Sequence, residues 1–81
     1  MRVDKFLKVT RLIKRRTVAA QACDLGRVYV NGKEVKASYK ISVGDIIEIV
    51  FGQSKVKVEV LEIKDTSRKE EAERLFKYLE A

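Results

Sequence analysis

The sequence predicts an α+β domain with two N-terminal helices, a small antiparallel sheet and a C-terminal helix. Three observations predict it. Apolar residues recur at helical spacing up to Leu25, alternate at a period of two from Val28 to Val60, and return to helical spacing near the end. Asn31-Gly32, the pair that favours a type I′ hairpin turn, stands just after the first change of period. The chain has 81 residues, room for one domain with a thin core.

The elements follow in order. Val3, Phe6 and Leu7 stand at i, i+3 and i+4 and share a helix face, with Arg2, Lys5 and Lys8 roughly opposite. Asp4 falls in the first turn, where the helix dipole favours an acid. Thr17 suits the N-cap of a second, alanine-rich helix, VAAQACDL, which can approach a neighbour closely. Gly26 fits a left-handed C-cap and ends that helix at Leu25. Val28 and Val30 then point one way and Tyr29 the other, and Lys33 to Val35 form the returning strand. Ser42 to Asp45 read as a turn, with Gly44 supplying an unusual dihedral. Ile47, Ile49 and Phe51 alternate with Ile46, Glu48 and Val50. After a turn at Gly52 to Ser54, Val56, Val58 and Val60 alternate with Lys55, Lys57 and Glu59. Ala72, Leu75, Phe76 and Leu79 give residues 66–81 the pattern of an amphipathic helix.

Charge carries the functional signal. The chain holds 18 Lys+Arg and 12 Asp+Glu, a net charge of +6. Residues 1–40 hold 11 basic and 3 acidic side chains, whereas residues 41–81 hold 7 and 9. This asymmetry points to one positive face and a polyanionic partner. Arg2, Lys5, Lys8, Arg11, Lys14, Arg15 and Arg16 are seven cations within 15 residues, with Asp4 the one acid among them. Lys14, Arg15 and Arg16 precede the second helix, an end whose dipole prefers anions. The cluster is reasonable there if an external phosphate joins it. Arg27, Lys33, Lys36 and Lys40 extend the positive surface around the hairpin. Tyr29 and Tyr39 lie among them, either to stack on unpaired bases or as ordinary exposed strand residues.

The composition excludes other chemistry. With no histidine and one cysteine, the chain lacks an internal disulfide, a Cys/His zinc site and the commonest general base. Cys23 is read as a small buried side chain, Asp45 as a turn residue, and Glu70, Glu71 and Glu73 as a solvated helix face. There is no glycine-rich phosphate loop and no apolar run near the ~20 residues needed to span a bilayer. A cytoplasmic, non-catalytic, cofactor-free monomer is the expectation. Two helices and a hairpin also fit a DNA-binding helix-turn-helix with a β wing. Against that, VAAQACDL offers only Gln21 and Asp24 as polar readers of base edges.

Arg2-x-Asp4-Lys5-Phe6-Leu7, Arg11, Arg15-Arg16-Thr17, Ala20, Gly26, Val28-x-Val30-Asn31-Gly32 and Val43-Gly44-Asp45 occur in this order over about residues 1–50. The run resembles the S-four RNA-binding domain, the alpha-L motif, in which two helices and a hairpin present a basic surface to structured RNA. Residues 51–81 are too few for the catalytic units that accompany this domain in pseudouridine synthases or tyrosyl-tRNA synthetases. The stretches RLIKRRT, Phe51-Gly52-Gln53 and KDTSRKEEA are similar to those of short stand-alone members that serve bacterial ribosome quality control. The resemblance implies a factor that binds large-subunit rRNA and peptidyl-tRNA after ribosome splitting. It would work beside an RqcH-like factor that adds a C-terminal alanine tail. The alternative is a general ribosome-associated heat-shock or subunit-recycling role. The S-four-type unit is expected over residues 1–65, with the helix of residues 66–81 packed on it but outside the binding face. The expected RNA contacts are Arg2, Lys5, Lys8, Arg11, Lys14, Arg15, Arg16, Arg27, Lys36 and Lys40, led by Arg2 and Arg16 as exposed side chains.

Overall fold

A computed structural model of the chain describes residues 1–79. Helix α1 spans Val3–Val9 and buries Val3, Phe6 and Leu7 completely, as their spacing requires. Its first N–H groups are satisfied from outside the helix. Val3 N donates to the Tyr39 carbonyl at 2.7 Å, and Asp4 N to that of Ala37 at 3.3 Å. At its other end the buried Thr10 hydroxyl donates to the Phe6 carbonyl at 2.7 Å, and Arg11 takes a left-handed backbone, φ 63°.

Helix α2 spans Arg16–Asp24 and buries Ala19 and Cys23, one turn apart. Its N-cap is Arg15, with extended backbone and no side-chain cap, so Thr17 lies inside the first turn rather than at the cap expected of it. The chain is already extended at Arg15 and turns into helix at Arg16, two residues too early for the Thr17 hydroxyl to cap it. The other end follows the sequence. Leu25 caps the helix, Gly26 is left-handed at φ 73°, and Arg27 N donates to the Ala22 carbonyl at 2.9 Å, a Schellman closure.

Strands β1 (Val28–Val30) and β2 (Lys33–Glu34) form the hairpin, with Asn31 at φ 53° and Gly32 at φ 82°. Both positive values are what a type I′ turn demands. Val35 falls just beyond β2 but still donates from its N–H to the Val28 carbonyl at 3.2 Å. The Asn31 side chain then ties the hairpin to the next strand. Its Oδ1 accepts from Ile46 N at 2.9 Å, and its Nδ2 donates to Asp45 Oδ1 at 3.1 Å. Strands β3 (Ile46–Phe51) and β4 (Ser54–Val60) pair through a Gly52-Gln53 turn, with Ile47 opposite Val58 and Ile49 opposite Val56. The sheet is antiparallel throughout, in the order β2-β1-β3-β4-β5. Val28, Val30, Ile47, Ile49, Val58 and Val60 form its inner face and close the core with Phe6, Leu7, Ala19 and Cys23.

The C-terminal segment departs from the expected helix over residues 66–81. Helix α3 is one short piece, Lys69–Glu73, and strand β5, Phe76–Tyr78, follows it; residues 80–81 lie outside the described residues. Ala72, Leu75 and Phe76 are buried as their spacing suggests. An i, i+3, i+4 set, however, is equally served by a turn of helix that bends into an edge strand. The hydrogen bonds decide between the two. β4 would otherwise be a bare edge. β5 satisfies it, with Val60 opposite Phe76 and Val58 opposite Tyr78, and Leu79 N donating to the Lys57 carbonyl at 2.8 Å. Phe76 and Tyr78, aromatics suited to a pleated surface, meet edge to face with centroids 5.3 Å apart. Among the described residues, no helix is long and apolar enough to cross a membrane.

If β5 closes the sheet, Phe76→Ala removes a buried wedge rather than one face of a peripheral helix. The expected loss is about 3 kcal/mol, measured by urea unfolding. A loss under about 1 kcal/mol would mean that the segment is dispensable to the core.

Candidate RNA-binding face

Asp4 organises the cationic cluster. It sits one residue into α1, and its side chain is only 4% exposed. Its Oδ1 accepts from Lys5 N at 2.8 Å, which satisfies one of the helix's free N–H groups. Arg2 grips the same carboxylate with two prongs, Nε to Oδ1 at 3.3 Å and Nη2 to Oδ2 at 3.3 Å. Arg16, the first residue of α2, brings Nε to Oδ2 at 3.5 Å. One carboxylate therefore holds two guanidiniums, one from the start of each helix. The arginine side chains are 48% and 46% exposed, so both stay open to solvent, as expected, while bonded to Asp4. Sequence reading took Asp4 as an ordinary first-turn acid and missed this role. Its signal was its isolation as the one acid among seven cations.

The other expected contacts distribute around this group. Lys40 is bridged to Arg2 across a short antiparallel contact, and Tyr39, whose carbonyl caps Val3 N, is itself 39% exposed beside it. Lys36 opens the same loop, its carbonyl accepting from Tyr39 N. Lys8, Lys14 and Arg15 are exposed along α1 and the α1–α2 connection. Lys5 and Arg11 are engaged by the C-terminal segment. Lys5 Nζ pairs with Asp65 Oδ2 at 2.9 Å, and Arg11 Nη2 donates to the Ser67 carbonyl at 3.1 Å. Of these two partners Ser67 lies beyond the expected 1–65 unit, and it reaches this face because the chain leaving β4 passes α1 before it returns as β5. Arg27 lies at the far end of β1 from the Asn31 turn, its carbonyl accepting from Val50 N, and shares no bond with the Asp4 group among the described residues. Tyr29 is opposite Glu34 and Glu48 on the outer face of the sheet, an acidic setting that argues for the ordinary strand role.

The Lys5 ammonium, by hydrogen bond and charge, holds the exposed Asp65 carboxyl below its usual range, and Lys8 adds to the effect. Glu71 is lowered chiefly by its bond to Lys64. Burial, with the Asp4 and Asp24 charges, pushes the Cys23 thiol up to about 11, away from nucleophilic use. No group of three or more metal-ligating side chains occurs among the described residues.

The family model described as S4 domain matches residues 1–47, which contain the Asp4 group, both helices and the hairpin. The chain belongs to the S4 domain family. It is 52% identical over 79 residues to the RQC P-site tRNA stabilizing factor of Bacillus subtilis, covering 98% of this chain and 92% of that protein. The protein of the same name from Halalkalibacterium halodurans is 54% identical over 76 residues, 94% of this chain and 86% of the relative. In fold, the trimeric structure of Vibrio cholerae heat shock protein 15 superposes with a TM-score of 0.89. It covers 98% of this chain and 81% of that one at 29% identity. The S4 domain thus holds the arginine pair, whereas Asp65 and Ser67, which engage Lys5 and Arg11, come from beyond the matched residues.

Asp4→Asn separates positioning from bulk charge. The substitution raises the net charge from +6, so an acid that merely opposed the cluster would, on removal, strengthen RNA binding. If Asp4 holds Arg2 and Arg16 in place, binding to structured RNA weakens instead, by about fivefold, with a stability loss of about 1–2 kcal/mol. Filter binding at fixed salt reads the sign.

Cys23 gives a pH prediction. Its folded value of about 11 lies above the ordinary 9.0, so the unfolded thiol loses its proton first. The Cys23 contribution is therefore level below pH 9.0 and erodes as pH rises toward 11. In urea unfolding across this range, Cys23→Ala should lose less stability than the native chain; equal losses would contradict the buried thiol.

Proposed function

We propose that this chain is a non-catalytic factor of bacterial ribosome quality control. It binds ribosomal RNA of the large subunit together with the P-site tRNA that remains after the ribosome has split. The observation that carries this reading is the Arg2–Asp4–Arg16 group, set in a chain 52% identical along 98% of its length to an RQC P-site tRNA stabilizing factor. A small rigid body that fixes guanidiniums from two helices on one face suits a task of holding rather than reacting. Guanidiniums grip phosphates in two-pronged fashion, and phosphate contacts fix position rather than sequence. With the tRNA so held, an RqcH-like factor on the same subunit can extend the nascent chain with alanine. The protein acts in the cytoplasm as a monomer, without cofactor.

The second reading, a general heat-shock or recycling protein, is favoured by the shared fold but stands on the lower identity of 29%. Co-sedimentation with purified large subunits, with and without peptidyl-tRNA, separates the two. Arg2→Ala and Arg16→Ala should each weaken recovery on the tRNA-bearing subunits by about tenfold, the loss of a charge-assisted contact. Circular dichroism confirms the fold of each variant. Equal affinity for empty and tRNA-bearing subunits would replace the quality-control role with the general one.

A further inference from the structure

The match to the S4 domain ends at residue 47, yet the chain beyond it returns to the cationic face. Residues 61–68 leave β4 as an extended strap along α1. Leu61 N and Glu62 N donate to the Leu75 carbonyl at 2.8 and 3.2 Å, and three further contacts tie the strap to the core and α1. Ile63 packs against the core, Asp65 pairs with Lys5 at 2.9 Å, and the Ser67 carbonyl takes the Arg11 guanidinium at 3.1 Å. Beyond Ser67, Arg68 N donates to Thr66 Oγ1 at 3.1 Å, and both Lys64 and Arg68 pair with Glu71 of α3.

Between the strap and α1 lies an open hollow of about 350 Å³ lined by Lys8, Val9, Arg11, Lys14, Thr66 and Ser67. Its lining holds three cations, no acid and two hydroxyls, of which that of Thr66 is already bonded to Arg68 N and to the Glu71 carboxylate. The nearby Asp65 is already committed to Lys5. Arg11 is fixed at both ends, by its left-handed backbone and by the bond to the strap. That bond uses one of the five N–H donors of a guanidinium and leaves the rest available. The hollow has no aromatic wall on which a base could stack. Its chemistry is that of a phosphate seat, and its openness lets a polymer pass through.

We propose that Lys8, Arg11 and Lys14, together with Ser67 of the strap, seat a backbone phosphate of the bound RNA. The strap is then the second wall of the interface, outside the S4 domain proper. The proposal rests on the RNA-binding reading above and adds one contact to it.

The test uses the full chain, with bacterial tRNA and purified large subunits as probes, across a salt series. Ser67→Asp puts a carboxylate into the hollow. It should weaken binding to both probes by about tenfold and make the log–log salt slope shallower by about one. Ser54→Asp makes the same charge change at the opposite end of β4 and should shift affinity by less than about twofold. Equal effects of the two variants would overturn the seat. Nitrogen-15 amide spectra check each fold. Should Ser67→Asp disturb the fold, Ser67→Ala takes its place, with an expected loss of about threefold; unaltered affinity there would also overturn the seat. Titration with inorganic phosphate supplies the other arm. Shifts at Lys14 and Ser67 that saturate and are not displaced by tRNA would make this a small-anion site and overturn the proposal. If the slope change appears on tRNA while large subunits with peptidyl-tRNA are not preferred, the seat stands and the quality-control reading falls.

Discussion

The two arginines at the centre of the cationic face depend on one buried carboxylate. Seven cations within 15 residues repel one another, and a domain of 81 residues has little core with which to absorb that repulsion. Asp4 answers at the centre of the cluster. It removes one charge, satisfies a helix N–H, and fixes two arginines whose separate side chains would otherwise sample many rotamers. Because the arginines are half exposed, each pair by itself adds little stability. In the proposed RNA contact their value lies in orientation, since a guanidinium held in place loses less entropy when a phosphate arrives.

The sheet makes this arrangement rigid at a distance. The loop at residues 37–41 caps α1 through the Ala37 and Tyr39 carbonyls and binds Met1 O through Ile41 N. The same loop leads to Ser42, whose N–H is held by Asp45 at 2.8 Å, and Asp45 is held in turn by Asn31. A chain of short contacts thus runs from the hairpin turn to the first residues of α1. The hairpin therefore does more than carry its own lysines: it fixes the angle at which the helix pair faces solvent.

Much of this was legible in the sequence. The inner-face valines and isoleucines, the Asn31-Gly32 turn and the glycine closing α2 follow from period and turn chemistry, which are local rules. What escaped was non-local. The N-cap of α2 moved to Arg15 because nothing in the pattern around Thr17 says where the extended chain turns. Residues 66–81 read as continuous helix because their spacing is consistent with helix, whereas the unpaired edge of β4 that recruits Phe76–Tyr78 appears only once the sheet exists. In the site, the cations were all visible as charge. Their grouping by Asp4 and the return of Asp65 and Ser67 to α1 are tertiary facts, and the separation of Arg27 from them is another.

Arg11 shows what such a face demands of its scaffold. At φ 63° it occupies a conformation that glycine adopts freely and that an L side chain enters at a penalty of roughly 1–2 kcal/mol. Glycine would end α1 with less strain, yet it would take with it the guanidinium that reaches the strap. The molecule thus sits below its attainable stability at the position where its two halves meet. Variants selected for heat resistance alone would drift toward glycine there and shed the proposed phosphate contact as they gained robustness.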